Sequence, residues 1–305
     1  MRDIAQNVVI QIEVTNACHL SCQGCTRHVG HHRKPFFMDL ETIKRAIDSL
    51  DGWGGRIGCM GGEPTLHPEF EQICRIFQDM VPIERREFWT AGFRWGNLKP
   101  LIDETFPLRH YNDHVAYDGM HKPLLIAIDE VVDDPEFRRE LIDNCPYQTH
   151  WSASITPKGC FPCEIAASMD WLFDGPGGWP IERGWWQKTV ADYDWMIERY
   201  CGKCSGALPM PARSDGRGGR DGATMDLVSP GNVERLRAIG SKKIARGHYE
   251  VFEGKITRED IAKHTHLNPR EYRKFIAHSP EDVAAALASR TIGVDAHAGQ
   301  TERGS

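Results

Sequence analysis

Apolar and polar residues alternate through Val8–Val14 (VVIQIEV), the period of a strand with one polar face. Leu40–Leu50 instead repeats at helical spacing, with Ile43, Ile47 and Leu50 on one side and Asp39 placed as a cap. Arg56–Met60 (RIGCM) is a short strand that runs into a Gly-Gly turn, and Pro68–Met80 is helical, with Pro68 suited to a first turn. Glu87–Thr90 and Leu124–Val132 (LLIAIDEVV) are further predicted strands, and Pro135–Ile142 a further helix. Repeated strand–helix units predict a parallel sheet with right-handed crossovers, either open or partly closed into a barrel. Such sheets carry their sites at the carboxyl ends of the strands.

The pattern changes after Trp151. Residues 157–210 hold two CxxC pairs, several Trp and a Gly/Pro-rich run (DGPGGWP) at 174–180, which reads as irregular structure. Residues 214–222 (SDGRGGRDG) form a polar, flexible stretch. Beyond it Asn232–Ile239 and Arg258–Ile276 read as helices, and the last dozen residues as a disordered tail. No internal repeat is visible.

Composition narrows the classes. The chain has 305 residues, 40% hydrophobic and 26% charged, enough for a substantial core. Its net charge of -6 argues against a dedicated nucleic-acid binder, though a local pocket can still be basic. The N-terminal stretch shows no secretory signal and nothing approaches the ~18 apolar residues of a membrane span, so a cytoplasmic protein without membrane contact is expected. Ten cysteines in such a chain point to metal or catalytic thiolates rather than disulfides.

Cys18, Cys22 and Cys25 follow the first strand directly. Three thiolates so spaced ligate three corners of a cubane cluster and leave the fourth iron open. Zinc is the alternative, with His19, His28, His31 or His32 as fourth ligand. Gly61-Gly62-Glu63-Pro64 then closes the second strand. Together, CHLSCQGC at 18–25 and GGEP at 61–64 resemble the radical S-adenosylmethionine (SAM) superfamily over roughly residues 8–150. That resemblance implies a partial parallel (β/α)6 TIM-like barrel and a [4Fe–4S] cluster on the three cysteines, whose open iron chelates SAM. It further implies that the GGEP backbone and the Glu63 carboxylate bind the SAM amino group, and that an external one-electron donor such as flavodoxin or ferredoxin reduces the cluster. SAM then breaks to a 5′-deoxyadenosyl radical, which takes hydrogen from the substrate. The position before the third cysteine is usually aromatic in the family and packs near the adenine; here it is Gly24, leaving Trp89, Phe93 and Trp95 as candidates.

Cys160-x2-Cys163 and Cys201-x2-Cys204 supply four more thiols, with 37 residues between the pairs. A zinc ribbon usually has a gap of roughly 15–20 residues; zinc stays open, beside an auxiliary [4Fe–4S] cluster. Their placement resembles the SPASM/twitch extensions of the superfamily, including aminoglycoside-tailoring dehydrogenases and epimerases. The expected division is then 1–150 core, 151–212 auxiliary region, 213–290 helical extension and 291–305 tail. The resemblance implies an enzyme that dehydrogenates or epimerises a small hydroxylated substrate: a sugar, aminocyclitol or nucleotide-sugar. The alternatives are a maturase of ribosomally made peptides and, more remotely, a zinc-bound binding protein. For an epimerase, Cys145 is the candidate hydrogen donor, while Cys59 is expected in the sheet or pocket near GGEP and Cys74 on a helix. His114, Tyr117, Asp118, His121 and the Asp129-Glu130 pair are candidate substrate or ribose contacts, and Arg213, Arg217 and Arg220 could belong to a lid for an anion.

Overall fold

Five parallel strands and one antiparallel strand make the principal sheet of the computed structural model, which describes residues 1–112, 121–211, 213, 224–262 and a few positions near 280. The strands are β1 (Val9–Thr15), β2 (Arg56–Gly61), β3 (Arg86–Thr90), β4 (Leu108–Tyr111), β5 (Ala153–Thr156) and β6 (Gly159–Phe161), in the order β4-β3-β2-β1-β5-β6. Helices α1 (Leu40–Asp48), α2 (Phe70–Met80) and α3 (Trp95–Thr105) connect the first four strands. There follow α4 (Ile128–Val131), α5 (Pro135–Asp143), α6 (Pro146–His150), α7 (Glu164–Leu172) and α8 (Asp194–Tyr200). A small parallel pair, β7 (Asp226–Val228) and β8 (Tyr249–Val251), is accompanied by α9 (Pro230–Ala238), α10 (Lys242–Ala245) and α11 (Arg258–Ala262).

The alternation in β1 sorts its side chains between two faces. Ile10, Ile12 and Val14 are buried with Ile43, Ile47, Ile73 and Phe77 of the helices in one core cluster. Each such side chain contributes about 1.5–3 kcal/mol by leaving water. Gln11 and Glu13 stand on the other face, and Gln11 lines a cleft there with Glu87 of β3 and His110 of β4. Asp39 caps α1 as expected, accepting the Thr42 amide at 2.8 Å.

Two expectations are corrected. The sheet is mostly parallel, but it is not six parallel strands in sequential order: β5 docks parallel beside β1, and β6 returns antiparallel as its hairpin partner. The 150/151 division therefore falls within one continuous sheet. Nor is Leu124–Val132 a strand; its second half is the short helix α4. Side chains supplement a single parallel bridge between Leu125 and Val228 here. Ser205 Oγ accepts the Ile126 amide, Ser229 Oγ accepts the Ala127 amide, and Asn232 Nδ2 donates to the Leu125 carbonyl. An apolar run whose backbone is satisfied by side chains buries as well as a strand does. The predicted helix at 258–276 is described only over Arg258–Ala262, and the 291–305 tail lies outside the described residues. Among the described residues no helix is long and apolar enough to cross a membrane.

Candidate active site

The loop after β1 brings Cys18, Cys22 and Cys25 to one cleft over the polar face of the sheet. The register of β1 against β2 shifts between Glu13 and Thr15, with Thr15 still paired to Gly61 just before this loop begins. The cleft holds about 1440 Å³ of empty space, open solvent included. No cysteine is in a disulfide. Burial pushes the Cys18 thiol up to about 12 and raises that of Cys25. The Leu20 amide donates to Cys18 Sγ at 3.4 Å, a contact that favours a thiolate once its proton is displaced. Half-buried thiols outside any disulfide and facing one cavity fit a cluster held on its rim.

Three of the four histidines that might have closed a zinc site are engaged elsewhere, while His19 packs on Phe93. His28 Nδ1 pairs with Ser168, His31 with Ser241 and Asp226, and His32 Nε2 with the Arg27 carbonyl. Among the described residues no three His, Cys, Asp or Glu side chains form a ready site for a single metal ion.

Of the GGEP turn, Gly61 and Gly62 line the cleft, whereas Glu63 and Pro64 are buried beside it. The glycines are needed for contact with the chain that leads into Cys18. A Cβ at Gly61 would meet the Thr15 carbonyl oxygen at 2.0 Å, and one at Gly62 the Ala17 carbonyl oxygen at 2.3 Å. The Gly62 and Glu63 amides donate to these same carbonyls, at 2.8 and 2.7 Å. Both Glu63 oxygens accept hydrogen bonds from within the protein: Oε1 from the Thr65 hydroxyl and Oε2 from the Ala91 amide, each at 2.7 Å, with the Thr90 hydroxyl between them. Burial raises the Glu63 carboxyl against these donors. Through these bonds the Glu63 carboxylate splints the ends of β2 and β3.

Gly24 has φ +57°, and a Cβ there would meet the Lys122 carbonyl oxygen at 2.1 Å. No side chain fits, which is the local reason that an aromatic is missing. Of the three candidates to replace it, Trp89 lines the cleft, stacked on His110 at 4.2 Å between centroids. Trp95 is buried in the core, and Phe93 packs against His19.

Below the thiols, Arg27 lies between two carboxylates, 3.1 Å from Glu164 and 3.6 Å from Glu13, all three buried. Ser152 Oγ donates to the other Glu164 oxygen at 2.9 Å. Burial raises the Glu13 carboxyl, with Arg27 opposing. Glu87 accepts from Arg56 at 2.6 Å and from the Trp89 indole at 2.7 Å. Burial would raise its carboxyl, but His110, Trp89 and Arg56 outweigh that and hold it low. Apart from Trp89, these residues were not singled out from the sequence, although a Gln and a Glu inside the apolar run of β1 were a visible signal of a polar interior.

The second thiol set differs from the expected one. Cys145, Cys163, Cys201 and Cys204 line one apolar cavity with Ile165, Met169 and Tyr193. Burial raises all four thiols, and their mutual proximity adds to the rise at Cys163, Cys201 and Cys204. Amides donate to Cys163 Sγ at 3.4 Å and to Cys204 Sγ at 3.1 Å. Cys160 is set apart: it belongs to the main core and its Sγ faces the Pro180 carbonyl at 3.7 Å. Two residues of a β-strand separated by two others face opposite sides, and Cys160 lies in β6 while Cys163 caps α7. Cys145, expected as a hydrogen donor at the substrate, is in the second cavity instead.

Cys59 and Cys74 are both buried in the main core, so Cys59 is not a cleft residue. Asp129 pairs with Arg138, and Glu130 with Arg235 and the Gly231 amide, and neither lines the cleft. His121 lines the cleft. Arg213 pairs with Glu250. His114, Tyr117, Asp118, Arg217 and Arg220 lie outside the described residues.

A mostly parallel α/β sheet with three cysteine thiols at the carboxyl end of a central strand defines the class of site. Residues 12–112 match the Radical SAM superfamily model, so this part of the chain is a radical SAM domain. Members of that superfamily are enzymes that work with a [4Fe–4S] cluster and SAM. Among curated proteins, GTP 3′,8-cyclase of Actinobacillus succinogenes is 27% identical over 88 residues, 28% of this chain and 26% of the relative. The 7,8-dihydro-6-hydroxymethylpterin dimethyltransferase of Methanocaldococcus jannaschii is 26% identical over 144 residues, 45% of this chain and 27% of the relative. The chain thus spans about a quarter of the length of these relatives. A crystal structure of BtrN in complex with AdoMet and 2-DOIA aligns with TM-score 0.37 and 20% identity, over 52% of this chain and 73% of that one.

Proposed function

We propose that this chain is a two-cluster radical SAM dehydrogenase of a small hydroxylated substrate, a sugar, aminocyclitol or nucleotide-sugar. Cys18, Cys22 and Cys25 would hold the SAM-binding cluster, with Gly61 and Gly62 offering backbone to the SAM amino group. Cys145, Cys163, Cys201 and Cys204 would hold an auxiliary [4Fe–4S] cluster, in place of the set that includes Cys160. When bound, these groups supply a 5′-deoxyadenosyl radical that takes a hydrogen atom and a second site that takes an electron.

The protein's part is to present a hydroxyl-bearing carbon beneath the thiol rim and to remove a proton. Glu87 and Glu164 are the carboxylates on the cleft wall. Each is held by a cation, so each can accept a substrate hydroxyl without being left as an unpaired buried charge. One of them takes the hydroxyl proton as the carbon radical loses its electron and the ketone forms. Trp89, stacked on His110, offers a flat apolar wall.

The observation that favours oxidation over epimerisation is the distribution of thiols. Apart from Cys18, Cys22 and Cys25, no cysteine lines the cleft, so no thiol is placed to return a hydrogen atom. The test is anaerobic turnover with carbon-deuterated polyols and aminocyclitols, with an external donor such as reduced flavodoxin or ferredoxin. Deuterium should enter 5′-deoxyadenosine, one SAM should be consumed per ketone, and reductant should be needed only to prime the reaction. Solvent hydrogen in an inverted product, with a continuous demand for reductant, would sink the dehydrogenase reading.

A further inference from the structure

We infer that the segment 224–245 is a strap that clamps the loop of Cys18, Cys22 and Cys25 through the buried pair Asp226 and Lys243, which makes these two positioning residues. The inference rests on the reading of that trio as cluster ligands. The loop lacks helix or strand between Cys18 and Cys25, so its backbone groups need partners from elsewhere. Two of them find charged ones. The Gly24 amide donates to Asp226 Oδ1 at 2.8 Å, and the Cys22 carbonyl accepts from Lys243 Nζ at 3.1 Å. These partners come from 202 and 221 positions along the chain, and they meet each other at 2.5 Å.

The rest of the strap is built around this contact. Asp226 Oδ2 also faces His31 Nε2 at 3.0 Å, and His31 Nδ1 faces Ser241 Oγ at 2.8 Å, so the loop's far end is held by the same carboxylate. Thr224 Oγ1 donates to the Ser21 carbonyl at 2.9 Å. Asp226, Lys243, His31 and Ser241 are all buried. Burial alone would raise the Asp226 carboxyl; Lys243 and His31 overcome it and hold the group well below the carboxylate range. The same strap reaches the second thiol set, where Asn232 Nδ2 donates to the Lys203 carbonyl at 2.8 Å, next to Cys204. A buried charged pair bonded to both sides of the Cys22–Cys25 turn has directional hold that an apolar contact lacks.

The two charges also act oppositely on an electron arriving at the loop. The ammonium at the Cys22 carbonyl favours the reduced cluster, and the carboxylate at the Gly24 amide disfavours it. A merely structural strap would show no such sign.

The test uses the full chain, reconstituted anaerobically, as wild type, Lys243→Met, Asp226→Asn and the double variant. The midpoint potential of the SAM-binding cluster is followed by electron paramagnetic resonance, and iron loss to a chelator is timed. Asp226→Asn should move the potential up and Lys243→Met down. The double variant replaces a buried pair by neutral isosteres, a change such pairs commonly tolerate, and it carries the test if a single variant does not fold. It should lose iron from the first cluster about tenfold faster or more, since two charge-assisted bonds to the loop are gone. If the wild type holds no iron that depends on Cys18, Cys22 and Cys25, the cluster reading and the strap fall together. If it does, and folded variants keep its potential and its rate of iron loss, the strap alone is overturned.

Discussion

The Glu63 carboxylate accepts the Ala91 amide at 2.7 Å, joining the end of β2 to the end of β3 directly beside the thiol loop. Gly61 and Gly62 press against Thr15 and Ala17, and Glu63 fixes the turn from behind. Glu63→Gln places an amide where Thr65, Thr90 and Ala91 all donate, leaving a buried donor opposed. A loss of about 1–3 kcal/mol in stability is expected by denaturant unfolding. Weaker SAM binding should accompany it in equilibrium titrations, with the iron content unchanged.

On the proposed reading Cys145 takes the auxiliary-ligand place that spacing suggested for Cys160, which lies in the main core. Cys145→Ala should reduce bound iron from about eight to about four per chain, as one cubane is lost. Cys160→Ala should keep the iron and cost about 1 kcal/mol or somewhat more through the core cavity it leaves. Iron and acid-labile sulfide on the two purified variants decide the matter. Equal losses from both would return Cys160 to the ligand set.

Gly24→Ala should be poorly tolerated. A left-handed φ costs about 1–2 kcal/mol for a side chain, and the Cβ would overlap the Lys122 carbonyl. The expected result is a lower melting temperature and a first cluster that is incompletely loaded, with the second cluster intact.

Arg27→Met leaves Glu13 and Glu164 buried without their cation, a change that costs about 3–5 kcal/mol when a buried pair is broken. Adding Glu13→Gln and Glu164→Gln in the same chain should recover most of that stability. Chemical denaturation of the single and triple variants gives the comparison. A triple variant no more stable than Arg27→Met would mean that Arg27 acts through packing alone.

Local pattern carried much of this protein. Period-two alternation marked β1 and helical spacing marked α1 and α2, because backbone geometry repeats within a few residues. Cys18, Cys22, Cys25 and the GGEP turn were legible for the same reason: a loop of eight residues and a turn of four state their chemistry locally. What spacing could not state was which distant groups meet. The CxxC at 160–163 looked like a ligand pair, yet the β6–α7 junction turns Cys160 into the core and Cys163 to the cavity, where α6 delivers Cys145. Leu124–Ala127 read as a strand because it is apolar, and only the folded chain supplies Ser205, Ser229 and Asn232 to satisfy its backbone. Asp226 and Lys243 gave no signal at all, since their partners lie about 200 residues away. The cysteines of the first loop and the GGEP turn were legible in the sequence alone; the groups around them and how they meet were decided by tertiary structure, because burial forces each polar group to find its partner wherever the chain brings one.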